Sequence, residues 1–136
     1  MSTALDTSVA VRLLTDTPTD QAAAARAFVR AAAEPVAVSD LVVSETYYVL
    51  RHHYRVPHGE AVRFLSELLA DPRLRASGVA RTALRDAAAA GPRASPGLMD
   101  RLVLADAARE ALRLVTFDRD LARLPGAELL RAPRGS

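Results

Sequence analysis

The chain has 136 residues, half of them apolar and a quarter charged, with a net charge of +2 and no cysteine. This length suits one domain with a hydrophobic core, and the composition excludes a disordered or fibrous protein. The lack of cysteine excludes disulfides, thiol chemistry and cysteine metal sites, and the small net charge requires any nucleic-acid-binding surface to be local. We therefore expect one domain over residues 1–131 and a C-terminal tail over residues 132–136.

Short strands alternate with helices along the chain. In chain order, the predicted elements are a strand at 3–6, helices at 8–14 and 19–33, a strand at 36–38, helices at 40–54 and 58–69, a strand at 74–79, helices at 80–90 and 95–110, a strand at 112–117, a helical turn at 118–124 and a strand at 127–130. Asp40 is the predicted N-cap of the third helix, and Ser95 followed by Pro96 is the predicted start of the sixth. This alternation predicts an α/β fold with a mainly parallel central sheet of four or five strands and helices on both faces.

Two acidic residues lie at the carboxyl ends of predicted strands. Asp6 follows the first apolar segment, and Asp118 follows the strand that ends at Phe117. Each is also explained as the N-cap of the next helix, because a carboxylate accepts hydrogen bonds from the first helical amides. In open parallel sheets, however, ligand sites form at the carboxyl ends of the strands, where both residues are expected.

Two further acids interrupt apolar stripes of predicted helices. Glu45 shares a helical face with Leu41 and Tyr48, and Asp100 shares one with Val103. A carboxylate that faces a core needs a partner, and the chain contains no lysine to supply one. The alternatives are that Glu45 reaches solvent at the edge of its stripe and that Asp100 interacts with the helix dipole.

The four acids together favour a metal site. Carboxylates that converge at one edge of a sheet repel one another and raise one another's pKa values. A hard divalent cation such as Mg²⁺ or Mn²⁺, which prefers oxygen ligands, relieves this repulsion. Such a site suits phosphodiester hydrolysis.

The same segments resemble the PIN-domain ribonucleases, and most closely the VapC-type toxins of bacterial toxin–antitoxin pairs. The resemblance rests on Leu5-Asp6-Thr7-Ser8-Val9, on Val38-Ser39-Asp40-Leu41 leading to Ser44-Glu45, on Asp100 after a helix start that contains Pro and Gly, and on Thr116-Phe117-Asp118-Arg119-Asp120. It covers nearly the whole chain. One departure is Leu98-Met99-Asp100-Arg101, where family members commonly have Phe-Ala-Asp followed by a small or apolar residue.

The resemblance implies a metal-dependent endoribonuclease that uses Mg²⁺ or Mn²⁺ and is inhibited by a cognate antitoxin protein. It also implies a homodimer. The sequence shows no signal-peptide pattern and no apolar run of membrane-spanning length, so we expect a soluble cytoplasmic protein. The catalytic residues carried over are Asp6, Glu45, Asp100 and Asp118, and the metal ligands among them are Asp6, Asp100 and Asp118. Asp120, Ser8 and Thr7 are implied as supporting residues. The alternative from another class is a non-catalytic PIN-like module that binds RNA or protein.

A basic and aromatic run, Arg51-His52-His53-Tyr54-Arg55, forms the predicted end of the third helix. Cations there complement the helix dipole, which is one interpretation. The other is an RNA-contacting rim in which Tyr54 stacks on a base while Arg51 and Arg55 hold phosphates, with Arg101 as a further phosphate ligand. The spacing of the three histidines suits no common zinc site, and the chain has no glycine-rich phosphate loop.

Overall fold

The computed structural model describes residues 2–133, so residue 1 and residues 134–136 of the predicted tail lie outside the described residues. The helices are α1 Thr7–Thr15, α2 Thr19–Ala31, α3 Asp40–His52, α4 His58–Ala70, α5 Ala80–Ala90, α6 Leu98–Arg109 and α7 Arg119–Ala122. The strands are β1 Val36–Val38, β2 Leu74–Ala76, β3 Leu114–Thr116 and β4 Ala127–Leu129. Every predicted helix is present within a few residues of its expected bounds. None of the described helices is long and apolar enough to span a membrane.

The strands are parallel, as predicted, but they do not form one central sheet. Among the described residues, β1 pairs with β2 and β3 pairs with β4 in two separate sheets. The predicted first strand is reduced to a single parallel bridge between Ala4 and Ala37, where Leu5 donates to the Ala37 carbonyl at 2.9 Å. The prediction of a four- or five-stranded sheet is therefore wrong for this structure. Strands of only three residues supply few ladder bonds, and no backbone hydrogen bond within residues 2–133 joins the Ala4 segment to β3.

Helix α3 buries the opposite stripe from the one that contains Glu45. Its buried side chains are Val43, Thr46, Tyr47 and Leu50, which follow helical spacing and join the main core. Leu41 and Tyr48, the neighbours of Glu45, are 77% and 53% exposed, and Glu45 is exposed with them. The prediction of an inward Glu45 is wrong, because α3 carries two apolar stripes and only one packs against the core.

The start of α3 is connected to the start of α5. Ser39, rather than the predicted Asp40, is the N-cap of α3, and its hydroxyl oxygen accepts from the Val42 amide at 3.2 Å. The Asp40 carboxylate instead accepts from the Val79 amide at 3.0 and 3.1 Å. A Cβ on Gly78 would lie 2.3 Å from Asp40 Oδ2, so this bond depends on a glycine at that position.

Candidate active site

Asp100 and Asp118 are brought together by the start of α6 and the end of β3. Asp100 lies in the first turn of α6, and Asp118 caps α7 by accepting from the amides of Asp120 and Leu121 at 2.9 and 3.1 Å. Burial and, next, the charge of Asp118 raise the pKa of Asp100, while the Gly97 amide acts in the opposite direction. Neither carboxylate has an ion pair within residues 2–133. The two acids therefore form a repelling pair with no protein cation to neutralise it.

Asp120, in the first turn of α7, is tied to the loop before α6. Ser95 donates its hydroxyl hydrogen to Asp120 Oδ2 at 2.6 Å, across 25 positions of the chain. The prediction that Ser95 caps α6 is wrong, because Gly97 holds the N-cap position and α6 begins at Leu98. The Ser95 hydroxyl thus ties the loop to α7 and fixes Asp120 beside the start of α6.

Asp6 lies at the other sheet, at the N-cap position of α1. The hydroxyl of Ser8 donates to Asp6 Oδ2 at 2.9 Å, and this bond, together with the amides of Thr7 and Ser8, lowers the pKa of Asp6. The Thr7 hydroxyl oxygen is buried and has no hydrogen-bond partner in the described part of the chain. Asp6 and Ser8 line a cavity of about 580 Å³ that extends along α1 and α2 to Phe28.

The four predicted catalytic acids do not meet at one point. Within residues 2–133, no group of three acidic, histidine or cysteine side chains is close enough to hold a metal ion. Asp6 follows the segment bridged to β1, whereas Asp118 follows β3 in the separate sheet, and Glu45 lies on the exposed face of α3. The described residues therefore show no cluster of the four acids, and their convergence stays a prediction.

The residues that are present still fit a hard divalent cation. Mg²⁺ is commonly held by one or two carboxylates, with water and substrate phosphate oxygens completing its ligands. Asp100 and Asp118 supply two mutually repelling carboxylates for such a cation. Oxygen donors of this kind suit Mg²⁺ or Mn²⁺.

The predicted RNA-contacting residues fall into two groups. Tyr54 and Arg55 are exposed, and Arg55 has a left-handed φ of 55°. Arg51 is half-buried and donates from Nη1 to the Val56 carbonyl at 3.2 Å, which closes the turn after α3. Arg101 has a buried Nε without a partner in the described chain, and it lines a 430 Å³ cavity with Thr82. Tyr54 and Arg55 are thus the more accessible candidates.

Sequence reasoning did not identify the buried polar pair that Tyr47 of α3 forms with His58 of α4. Tyr47 and His58 are 5% and 4% exposed, and the Tyr47 hydroxyl oxygen lies 2.7 Å from His58 Nδ1. Burial, followed by the charges of Arg51 and Arg101, lowers the pKa of His58. One signal in the sequence could have indicated that Tyr47 is buried: it lies three residues before the apolar Leu50, on the same stripe of the helix.

Comparison with known proteins identifies one family. A family model described as PIN domain matches residues 3–127. No curated protein and no solved structure matches the chain significantly. The matched range contains every acidic residue described above.

Proposed function

This chain belongs to the PIN-domain family, whose members are generally metal-dependent nucleases, and we propose that it is an endoribonuclease that hydrolyses RNA phosphodiester bonds with Mg²⁺ or Mn²⁺. The observation that carries this proposal is the Asp100–Asp118 pair, in which burial and mutual repulsion favour a bound cation. A bound divalent cation would lower the pKa of a water molecule and stabilise the departing oxygen. Asp100 and Asp118 would hold the cation, and Asp120, fixed by Ser95, would orient the water.

We further propose that the two sheets join in the active form, which places Asp6 beside Asp118. The segment around Ala4 pairs only with Ala37, and β3 pairs only with β4 among the described residues. Val115 and Phe117 are 50% and 72% exposed, although a strand of this composition is typical of a core. Pairing these two open edges would extend one parallel sheet and bring a third carboxylate to the metal-binding pair.

The proposed biological role is the toxin of a VapBC-like pair. The support is the resemblance of the acidic motifs and the exposed apolar surface around Glu45, where Leu41 and Tyr48 lie in solvent. Exposed apolar patches of this kind suit protein partners. We propose a cognate antitoxin as a partner, together with a homodimeric, cytoplasmic protein.

A non-catalytic PIN-like binding module is the second candidate. The observation that favours it is the lack of any three-residue acidic cluster within residues 2–133. In that case Tyr54 and Arg55 would contact RNA, and the acids would act only as helix caps. The two functions differ in one measurable property, which is metal-dependent cleavage.

The deciding experiment offers RNA and DNA side by side to the purified chain over a range of Mg²⁺ and Mn²⁺ concentrations. We expect cleavage of RNA that requires the metal and is abolished by Asp6→Asn or Asp100→Asn. Asp106→Asn is the matched control, because Asp106 is an exposed acid of the same helix that pairs with Arg109 at 2.7 Å. An absence of RNA cleavage at every metal concentration, or full activity of Asp100→Asn, would overturn the proposal.

A further inference from the structure

The buried pair of Tyr47 and His58 connects α3 and α4, and α3 packs against α6, which carries Asp100. Tyr47 belongs to the core-facing stripe of α3, and His58 is the first residue of α4. With hydrogen on Nε2 of the neutral ring, the Tyr47 hydroxyl donates to Nδ1 across the 2.7 Å separation. The two rings also meet edge to face, with centroids 5.8 Å apart. A satisfied buried polar pair of this kind fixes a single packing arrangement.

The same pair lies directly against the loop that leads into α6. A Cβ on Gly97, the N-cap of α6, would lie 3.5 Å from the Tyr47 hydroxyl oxygen. On the other side, a Cβ on Gly59, the neighbour of His58, would lie 3.7 Å from Pro92 at the beginning of this loop. Tyr47 therefore lies against the Gly97 end of the loop, and the residue after His58 lies against its Pro92 end.

This loop ends at Gly97, which directly precedes the first turn of α6 that contains Asp100. The Gly97 backbone lowers the pKa of Asp100, and the Gly97 carbonyl accepts the Arg101 amide at 3.2 Å. Asp100 is the third residue of α6, the position from which an acid can reach the N-cap amide in a capping box. A displacement of Gly97 would therefore move the Asp100 carboxylate away from Asp118.

Burial, followed by nearby positive charge, lowers the pKa of His58 and so favours the neutral ring. Arg51 of α3 and Arg101 of α6 both place positive charge near His58, and the ring is buried. A neutral ring with its hydrogen on Nε2 can accept the Tyr47 hydrogen, and the hydroxyl oxygen of this pair lies against Gly97. No acidic side chain contributes to the charge environment of His58 in the described residues.

We infer that Tyr47 and His58 are positioning residues, which hold the N-terminal end of α6 and thereby place Asp100 beside Asp118. The consequence for metal binding rests on the proposed function. The claim that the pair holds the N-terminal end of α6 does not rest on it, because that claim follows from the packing alone.

The functional experiment compares Tyr47→Phe, His58→Leu and His58→Asn with the wild type during RNA cleavage at increasing Mn²⁺ concentration. We expect Tyr47→Phe and His58→Leu to raise the half-maximal Mn²⁺ concentration about tenfold, as for residues that orient metal ligands, while kcat at saturating Mn²⁺ stays within about twofold. His58→Asn keeps a polar atom near the position of Nδ1, so it should retain the wild-type Mn²⁺ dependence. The double variant Tyr47→Phe/His58→Leu should be no worse than the worse single variant, because both remove one bond.

The second experiment measures amide hydrogen exchange and needs no activity. Tyr47→Phe removes only a hydroxyl and is the mildest variant, and we expect it to accelerate exchange of the Arg101 amide, which closes the first turn of α6. The Glu110 amide, which donates to the Ala107 carbonyl at 3.1 Å at the far end of α6, is the internal control and should not change.

The outcomes separate this inference from the proposed function. If the wild type cleaves no RNA but Tyr47→Phe accelerates Arg101 exchange, the proposed function fails and the positioning of α6 stands. If the wild type is active and Tyr47→Phe changes neither the Mn²⁺ dependence nor the Arg101 exchange, the inference is overturned. Equal acceleration at Arg101 and Glu110 would also overturn it, since that result indicates general destabilisation of α6.

Discussion

Asp100 in the first turn of α6 lies close enough to Asp118, the N-cap of α7, for their negative charges to repel. Burial contributes most, and the charge of Asp118 next, to the raised pKa of Asp100. A carboxyl with a raised pKa in the folded state destabilises the fold once it is ionised. We therefore expect the metal-free protein to be less stable at neutral pH, where Asp100 is ionised, than it would be with an uncharged side chain at this position.

We expect Asp100→Asn to stabilise the metal-free protein at pH 7, raising Tm by about 1–3 °C. The unfolded chain ionises Asp100 near its ordinary pKa of 3.8, before the folded chain does, so stability falls as the pH rises through the raised pKa. The gain should therefore vanish below about pH 3.8, where both states are protonated. Thermal melts at pH 3.5 and pH 7 check this, and an equal gain at both values would contradict it.

His58 gives the opposite dependence on pH. Because burial and then Arg51 and Arg101 lower its folded pKa, the unfolded chain binds a proton first as the pH falls below about 6.5. We expect the free energy of unfolding to decrease from pH 7 to pH 5 and this decrease to be reduced in His58→Asn. Urea unfolding measures it, with the exposed His53→Gln as the control that keeps the wild-type slope.

The contact between Asp40 and the start of α5 predicts a non-additive pair of substitutions. Asp40→Ala leaves the Val79 amide without its acceptor and should cost about 1–3 kcal/mol of unfolding free energy. Gly78→Ala forces the Asp40 carboxylate away in the wild type, but it has no such effect once Asp40 is alanine. Urea unfolding of the two single variants and the double variant should give a coupling of at least about 0.5 kcal/mol. If the two losses of unfolding free energy simply add, Gly78 and Asp40 do not interact.

If the two sheets join in the active form, metal binding should protect amides at the open edge of β3 from hydrogen exchange. Leu114 donates to the Gly126 carbonyl at 2.9 Å, so the Val115 amide, which alternates with it, points to the open edge of β3. We expect Mn²⁺ to slow hydrogen exchange at Val115 in the wild type and to have no effect in Asp118→Asn. The amides of β1, which is already paired on both sides, serve as the reference. Unchanged exchange at Val115 in the presence of Mn²⁺ would contradict the joining of the sheets.

Local patterns along the chain predicted most of the elements. Helical spacing, alanine content and capping signals together located the described helices, and the break at Gly91 and Pro92 gave the end of α5 correctly. The caps were less predictable. Ser39 and Asp40 are adjacent and both suit an N-cap, and the choice between them depends on the Val79 amide, which lies 39 positions away.

The candidate site was only partly predictable for the same reason. Asp100 and Asp118 were identified from their positions in the sequence, and the structure brings them together. Glu45 was assigned to the wrong face because α3 has an apolar stripe on each side, and spacing alone does not show which one packs. The role of Tyr47 was missed because its partner, His58, begins a different helix.

The sequence by itself determined the order of strands and helices, the parallel direction of the strands and the membership of the PIN-domain family, because each depends on patterns within short segments. Only the tertiary structure decided which face of α3 is buried, which acids meet and how the start of α6 is supported. Those features depend on contacts between segments far apart in the chain, as between Ser95 and Asp120, which local spacing does not encode.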